Sequence, residues 1–199
     1  LRLVGSEMCI RDRYGEKALD KLRGMFGFAV WNEQEQSLML ARDFFGIKPV
    51  YYAEIDGHFV FASEIKSILA FPGYERKVNQ KALEQYLSFQ YSPLEETFFR
   101  GIYKLMPGHM LLYKNGNYEI KTYFKTKLTP GKWNRKTNMD QLRSQLAEIL
   151  KDSVKHHMLS DVEVGAFLSG GVDSGYLASA SGADQAFTVG FDEGDRYSE

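Results

Sequence analysis

Short apolar runs separated by polar turns fill the first third of the chain. Four such runs are strand-like, and they cover residues 25–31, 37–42, 50–54 and 58–62. Because the runs are short and closely spaced, with a hairpin signal at Asp56-Gly57, they predict an antiparallel sheet. A short amphipathic helix is predicted before the sheet, over residues 14–22, and a second helix after it, over 63–70.

The middle of the chain predicts a helix and then a hairpin. The helix spans residues 77–91, and the hairpin strands 110–113 and 118–123 flank an Asn115-Gly116 turn. The clearest helical pattern follows over 139–159, after an exposed loop. Its apolar positions recur every three or four residues on one face: Leu142, Leu146, Ile149, Leu150, Val154 and Met158. We expect this face to pack on a sheet that begins at Val162.

A strand, a glycine-rich turn and a helix follow one another over residues 162–182. The apolar run 162–168 predicts a buried parallel strand, and the helix over 176–180 is expected to end at Gly182. Between them lies Ser-Gly-Gly-Val-Asp-Ser, residues 169–174, which we call the glycine turn. A second short strand is predicted over 186–191.

The glycine turn has the chemistry of a phosphate site. Gly170 and Gly171 allow main-chain N–H groups to approach an anion where a Cβ atom would clash, and the new helix adds unpaired donors. Ser169 and Ser174 supply hydroxyls, and Asp173 would cap the helix or help to hold Mg²⁺. The lysine and spacing of a Walker A loop are absent.

The composition of the chain argues against several kinds of partner and binding site. The chain has 199 residues, a net charge of −1, four His and one Cys. This composition argues against a nucleic-acid partner, a disulfide framework and a metal cluster. With neither an apolar run of membrane-spanning length nor a secretion signal in the sequence, we predict a cytoplasmic enzyme with no membrane partner.

Several residues suggest chemistry, but a structural role fits each of them better. Cys9 has no activating base near it in sequence. Arg42 and Asp43 are expected to form an ion pair or anchor a turn, and His109 to stabilise a loop beside Pro-Gly. His156 and His157 are adjacent on a helix, so their side chains diverge and do not suit one metal.

The glycine turn resembles the SGGxDS pyrophosphate loop of the ATP pyrophosphatase superfamily. Four further segments resemble glutamine-hydrolysing asparagine synthetases, the first three of them in the class II glutaminase domain: RGMFGFAVWN (23–32), ARDFFGIKPVYY (41–52), FASEIKSIL (61–69) and FFRGIYKLMPGHMLLY (98–113). The resemblance implies four regions. They are a foreign or artefactual leader (1–13), a partial amidotransferase domain (14–73), an inter-domain connection with a hairpin (74–137) and the start of the synthetase domain (138–199).

This resemblance implies a fold and a reaction. The fold is an α+β part, the C-terminal half of an Ntn-hydrolase glutaminase sandwich, followed by the start of a doubly wound α/β ATP pyrophosphatase domain. Family members use ATP and Mg²⁺ to adenylate the β-carboxylate of aspartate, and ammonia from glutamine then gives asparagine and AMP. The implied ATP-binding residues are Leu168, Ser169, Gly170, Gly171, Asp173, Ser174 and Val189. Of these, Leu168 and Val189 would contact the adenosine.

Some features depart from the family pattern. Gly175 stands where the family often has serine, and Cys9 is not the terminal nucleophile of a glutaminase. We therefore expect a piece of a longer protein that contains no catalytic residue of either half and is inactive alone. Two alternatives stay open: a related ligase acting on another carboxylate, as β-lactam synthetases do, and a non-catalytic ATP-binding remnant. A homodimer of the parent protein is left open as a possible partner.

Overall fold

The computed structural model describes residues 15–127 and 138–190. The chain divides into two compact units near residue 128, which we call the N-terminal unit and the C-terminal unit. The predicted leader at 1–13, most of the exposed loop and the end of the chain lie outside the described residues.

The N-terminal unit consists mainly of antiparallel strands. A 3₁₀ helix, Gly15–Lys21, stands where a short helix was predicted, and it precedes the first strand. The strands are β1 (Gly27–Asn32), β2 (Ser37–Arg42), β3 (Tyr51–Ile55), β4 (His58–Ala62), β5 (Ile102–Lys104), β6 (His109–Lys114) and β7 (Asn117–Thr122). The helices are α1 (Ile65–Leu69) and α2 (Gln80–Phe89).

These strands form two sheets rather than the one predicted. The first sheet has the order β1-β2-β6-β7, and the second has the order β4-β3-β5. All their pairings are antiparallel, as expected. The prediction of a single sheet is wrong because the turn between β2 and β3 is not a hairpin, and it carries the chain to the second sheet. The hairpin at Asn115-Gly116 is confirmed, and its strand β6 pairs with β2.

Alternation of side chains along the strands builds a layered core. In β2, Leu38 and Leu40 belong to the cluster between the sheets, whereas Met39 and Ala41 pack on the opposite side with Leu19 of the 3₁₀ helix. This is the two-residue period of a strand that is covered on both faces. The second sheet repeats the arrangement, since Ala53 and Ile55 pack with Ile68 of α1. The unit therefore has four layers: helix, sheet, sheet and helix.

Aromatic rings fill one part of the space between the two sheets. The ring of Tyr52 lies 5.5 Å from that of Tyr103, and Phe59 lies 4.6 Å from Tyr113. Tyr118 of β7 completes the group with a ring 5.6 Å from Tyr52. Burial among these rings raises the pKa of the Tyr52 hydroxyl above its ordinary value.

The C-terminal unit contains α3 (Met139–His157), β8 (Ala166–Phe167), α4 (Val172–Ser181) and β9 (Ala186–Phe187). The long helix is confirmed, and Asn138 caps its start. Within the described residues α3 packs against α4 and leaves Leu146 and Ile149 exposed, so the expectation that its apolar face covers a sheet is wrong.

Both strands of this unit are shorter than predicted. The strand predicted over 162–168 is reduced to β8, because residues before Ala166 make no ladder bonds among the described residues. In 186–191 only Ala186 and Phe187 form β9, and Phe191 lies outside the described residues. The parallel pairing itself is as expected. Among the described residues, no helix is both long and apolar enough to cross a membrane.

Candidate functional site

The candidate site lies at the carboxyl ends of β8 and β9. The two strands are parallel, with Ala166 opposite Ala186 and Phe167 opposite Phe187. The N–H of Leu168 donates to the carbonyl of Phe187 at 2.9 Å. The glycine turn follows directly after Leu168. Ligands of open parallel sheets bind beyond this end of the strands, and the sequence places its candidate residues there.

The two glycines of the turn have different conformations. Gly170 has a φ of +84°, in the region that favours glycine over any residue with a Cβ atom. Gly171 has a φ of −73° and is the N-cap residue of α4. Its carbonyl accepts the N–H of Gly175 at 3.0 Å, which starts the helical hydrogen bonding. The first N–H groups of α4 have no partner within the helix, and they carry the positive end of its dipole.

Hydroxyl groups close the turn on itself. Ser174 Oγ donates to the carbonyl of Gly171 at 3.0 Å, and it accepts the N–H of Ser169 at 3.3 Å. The Oγ atoms of Ser169 and Ser174 are 3.1 Å apart. Since the one hydroxyl proton of Ser174 points to Gly171, Ser169 is the donor in this pair. Ser174 thus stabilises the turn, and the main-chain N–H groups remain the donors available to an anion.

The other predicted site residues surround the turn. Leu168 is half-buried and immediately precedes it, while Val189 lies just past the end of β9 and is 78% exposed. Parallel pairing therefore brings these two predicted adenosine contacts to neighbouring strand ends. Asp173 lies exposed in the first turn of α4 and does not cap it, because the cap position belongs to Gly171, which has no side chain.

Sequence reasoning missed one residue of this site. Thr188 Oγ1 donates to the carbonyl of Leu168 at 2.7 Å, across the ends of the two strands. The register of the two parallel strands, with Phe167 opposite Phe187, places Thr188 opposite Leu168, and the sequence did not fix this register. A hydroxyl residue at a strand end was the available signal.

The other candidates from the sequence have structural roles. His109 Nδ1 donates to the carbonyl of Pro107 at 2.8 Å, and its Nε2 lies 2.9 Å from Thr122 Oγ1. His156 and His157 bond through Nδ1 to carbonyls of their own helix. Within residues 15–127 and 138–190, no three His, Cys, Asp or Glu side chains group as a metal site. Cys9 lies outside the described residues.

Residues 169–173 of the glycine turn are exposed. Cavities of about 430 and 500 Å³ occur in the N-terminal unit, and neither is lined by the glycine turn. The first lies beside Glu16 and Lys114, and the second beside Trp31 and Phe61. Both are remote in sequence from the phosphate-type chemistry of the turn, so their size does not identify them as the functional site.

Comparison with known proteins identifies the class. The glutamine amidotransferase domain family matches residues 8–124, and the asparagine synthase family matches residues 145–199. Asparagine synthetase [glutamine-hydrolyzing] 1 of Bacillus subtilis is 40% identical over 185 residues, covering 90% of this chain and 28% of that protein. The chain therefore belongs to the glutamine amidotransferase family, in the domain arrangement of the glutamine-hydrolysing asparagine synthetases.

The chain is also similar to a protein named an amidase and to a solved structure, and neither similarity carries the family assignment. Amidase chry2 of Gibberella zeae is 33% identical over 183 residues, covering 89% of this chain and 27% of that protein. Among solved structures, glutamine phosphoribosylpyrophosphate amidotransferase from B. subtilis has a TM-score of 0.40 and 15% identity, covering 96% of this chain and 40% of that one. The chain thus spans less than a third of the length of the two relatives matched by sequence.

Proposed function

We propose that the protein containing this chain is an ATP-dependent, AMP-forming ligase that makes asparagine from aspartate, with ammonia from glutamine. The observation that carries the proposal is the position of the glycine turn. It joins a parallel strand to a helix N-terminus within the segment that matches asparagine synthase, and an amidotransferase domain precedes it. A doubly wound ATP pyrophosphatase domain that begins near residue 138 is part of this proposal.

The residues of the turn suit the pyrophosphate part of ATP. The N–H groups at the start of α4 would donate to phosphate oxygens, and Gly171 leaves room for their approach. Ser169 and Ser174 would hold the shape of the turn. Leu168 and Val189, at the two strand ends, would contact the adenosine. This arrangement would fix the α-phosphate near an acceptor carboxylate.

The glycine turn offers one side chain suited to binding Mg²⁺. Asp173 offers one exposed carboxylate beside the turn, and Mg²⁺ is commonly held by one or two carboxylates together with substrate phosphates. Asp173 is thus the residue of this chain that would hold the ion. The ion would neutralise the departing pyrophosphate.

Location in the cytoplasm stays a prediction.

The chemical reason for using ATP lies in the acceptor. A carboxylate has no leaving group that ammonia can displace. Transfer of AMP to one carboxylate oxygen converts it into a mixed anhydride, from which ammonia expels AMP. This route requires ATP cleavage between its α- and β-phosphates, and a turn that binds pyrophosphate suits it.

The experiment uses the full-length parent protein with aspartate, glutamine, ATP and Mg²⁺. We expect asparagine, glutamate, AMP and pyrophosphate in equal amounts. The variant Gly171→Ala should form asparagine and AMP more slowly at low ATP concentration, while its glutamine hydrolysis continues. ADP in place of AMP would refute the proposal, and so would ATP binding without turnover, the behaviour of a non-catalytic remnant.

A second candidate is the same chemistry on another carboxylate. The similarity to a relative named an amidase favours considering it, because that protein matches nearly the same share of this chain as the asparagine synthetase does. Supplying other carboxylic acids in place of aspartate separates the two. AMP formation that depends on another acid and not on aspartate would support this second candidate.

A further inference from the structure

The main-chain hydrogen bonding between β8 and β9 ends at Leu168. In a parallel pair, the rung after the Leu168–Phe187 bond would join the N–H of Val189 to the carbonyl of Leu168. Among the described residues no main-chain bond joins these two groups. The carbonyl of Leu168 instead accepts the hydroxyl of Thr188 at 2.7 Å. A side chain has replaced a main-chain rung at the point where the strands separate.

The hydrogen bond from Thr188 acts on the first peptide group of the glycine turn. The carbonyl of Leu168 and the N–H of Ser169 belong to one planar peptide unit. Thr188 fixes the carbonyl end of this unit, and Ser174 accepts its N–H at 3.3 Å. The plane is therefore held from both sides, so its orientation sets the direction in which the chain enters Gly170.

Within the described part of the chain, the main chain of Val189 makes no hydrogen bond to Leu168, and this suits a ligand site at the strand ends. A complete rung would hold the strand ends together, whereas a ligand that lies beyond the strands needs them to separate. Val189 is 78% exposed at this point. The hydroxyl of Thr188 thus fixes Leu168 while leaving the main chain of Val189 available.

We propose that Thr188 is a positioning residue for the ATP site, an inference that rests on the proposed function of the glycine turn. It acts through the peptide between Leu168 and Ser169 and does not contact the phosphates. Loss of its hydroxyl would allow this peptide to rotate, and the N–H groups of the turn would no longer converge on one anion.

The test compares three variants of the full-length parent protein. Thr188→Val keeps the β-branched shape and removes the hydroxyl, whereas Thr188→Ser keeps the hydroxyl. Ser181→Ala is the matched control, because Ser181 Oγ also donates to a main-chain carbonyl, that of Ala178, at 2.8 Å in the same unit. Calorimetry measures the affinity for ATP and for pyrophosphate, each with Mg²⁺, and circular dichroism checks folding.

We expect Thr188→Val to weaken binding of both probes about three- to tenfold, the loss of one hydrogen bond. Thr188→Ser and Ser181→Ala should stay within about twofold of the unaltered protein. A merely structural role would lower the melting temperature of Thr188→Val without changing the affinity of the folded chain. Unchanged affinity, or no recovery in Thr188→Ser, would overturn the proposal.

Two further outcomes are distinguishable. If the unaltered parent protein binds neither probe, the proposed ATP site fails and this inference fails with it. If the unaltered protein binds both probes and Thr188→Val binds them equally well, the ATP site stands and this inference alone fails. Should Thr188→Val not fold, Thr188→Cys replaces the hydroxyl with a weaker donor. A loss of about twofold or more is then expected, and unchanged affinity overturns the inference.

Discussion

Arg42 and Asp43 bind the two main-chain polar groups of one residue, Lys48. Nε of Arg42 donates to the carbonyl of Lys48 at 2.8 Å, and Oδ2 of Asp43 accepts its N–H at 2.9 Å. The buried carboxylate of Asp43 also accepts the N–H groups of Phe45 and Ile47. These neighbours therefore fix the turn that carries the chain from the first sheet to the second, and the prediction of a turn anchor is confirmed.

Asp43→Asn should destabilise the N-terminal unit. Asparagine offers one acceptor oxygen where the carboxylate offers two, so at least one of the N–H groups of Phe45, Ile47 and Lys48 loses its partner. We expect the free energy of unfolding to fall by about 2 kcal/mol, measured by urea denaturation. The control Asp20→Asn changes an exposed carboxylate and should stay within about 0.5 kcal/mol. Equal midpoints for the two variants would contradict the role of Asp43.

Stability should also depend on the charge of Asp43. Burial alone would raise the pKa of Asp43, but main-chain N–H groups, first that of Lys48, outweigh it and lower the pKa below its ordinary value. A lowered pKa in the folded state adds stability above the unfolded value of about 3.9, and this stability is lost as the pH falls through the folded pKa.

The unaltered chain should therefore lose more unfolding free energy than Asp43→Asn as the pH falls from about 5 to 2. Urea midpoints at a series of pH values measure the difference between the two proteins. Parallel curves would show that the charge of Asp43 contributes nothing to stability.

Gly108→Ala should be more harmful than an ordinary glycine substitution. Gly108 has a φ of +68°, and a Cβ atom there would lie 2.5 Å from the main-chain oxygen of Phe124. Gly116 is the matched control, since its φ is +76° and a Cβ atom would meet nothing within 4 Å. We expect about 1 kcal/mol of destabilisation for Gly116→Ala and clearly more for Gly108→Ala. Thermal unfolding of both variants measures this, and equal losses would exclude the clash.

Gly171→Ala separates folding from ligand binding at the glycine turn. A Cβ atom on Gly171 would lie 3.6 Å from Ser169 Oγ and 3.9 Å from Ser174 Oγ, which is ordinary contact. We expect a melting temperature within about 2 °C of the unaltered chain, because the turn itself tolerates alanine. ATP affinity should nevertheless fall about tenfold, since the methyl group would stand where an anion approaches the N–H groups. Titration of both chains with ATP tests this, and equal affinities would remove the reason for glycine at this position.

Local signals in the sequence predicted local structure well. The Asn115-Gly116 hairpin, the long helix that begins at Met139 and the helix end at Gly182 each depend on neighbouring residues, and each is confirmed. The strand pattern alone did not predict the division into two sheets that the resemblance to a glutaminase sandwich implied, because the pairing of β2 with β6 joins segments about seventy residues apart. No local pattern specifies which distant strand fills that edge.

At the candidate site too, the local motif was predicted from the sequence and the contact between strands was not. The glycine turn was visible as a motif, and the structure places it between a parallel strand and a helix. The bond from Thr188 to Leu168 depends on the register between two short strands, which the sequence did not fix. Exposure of Leu146 and Ile149 was missed for a related reason, since periodicity shows that a helix has an apolar face but not what covers it.

The most direct measurement follows oxygen atoms through the reaction of the full-length parent protein. Aspartate labelled with ¹⁸O in its β-carboxylate is supplied with ATP, Mg²⁺ and glutamine, and the products are analysed by mass spectrometry. Attack of the carboxylate on the α-phosphate leaves one labelled oxygen on the phosphate of AMP when ammonia displaces it. The proposed function predicts this single label in AMP. Label in inorganic phosphate, or unlabelled AMP, would contradict it.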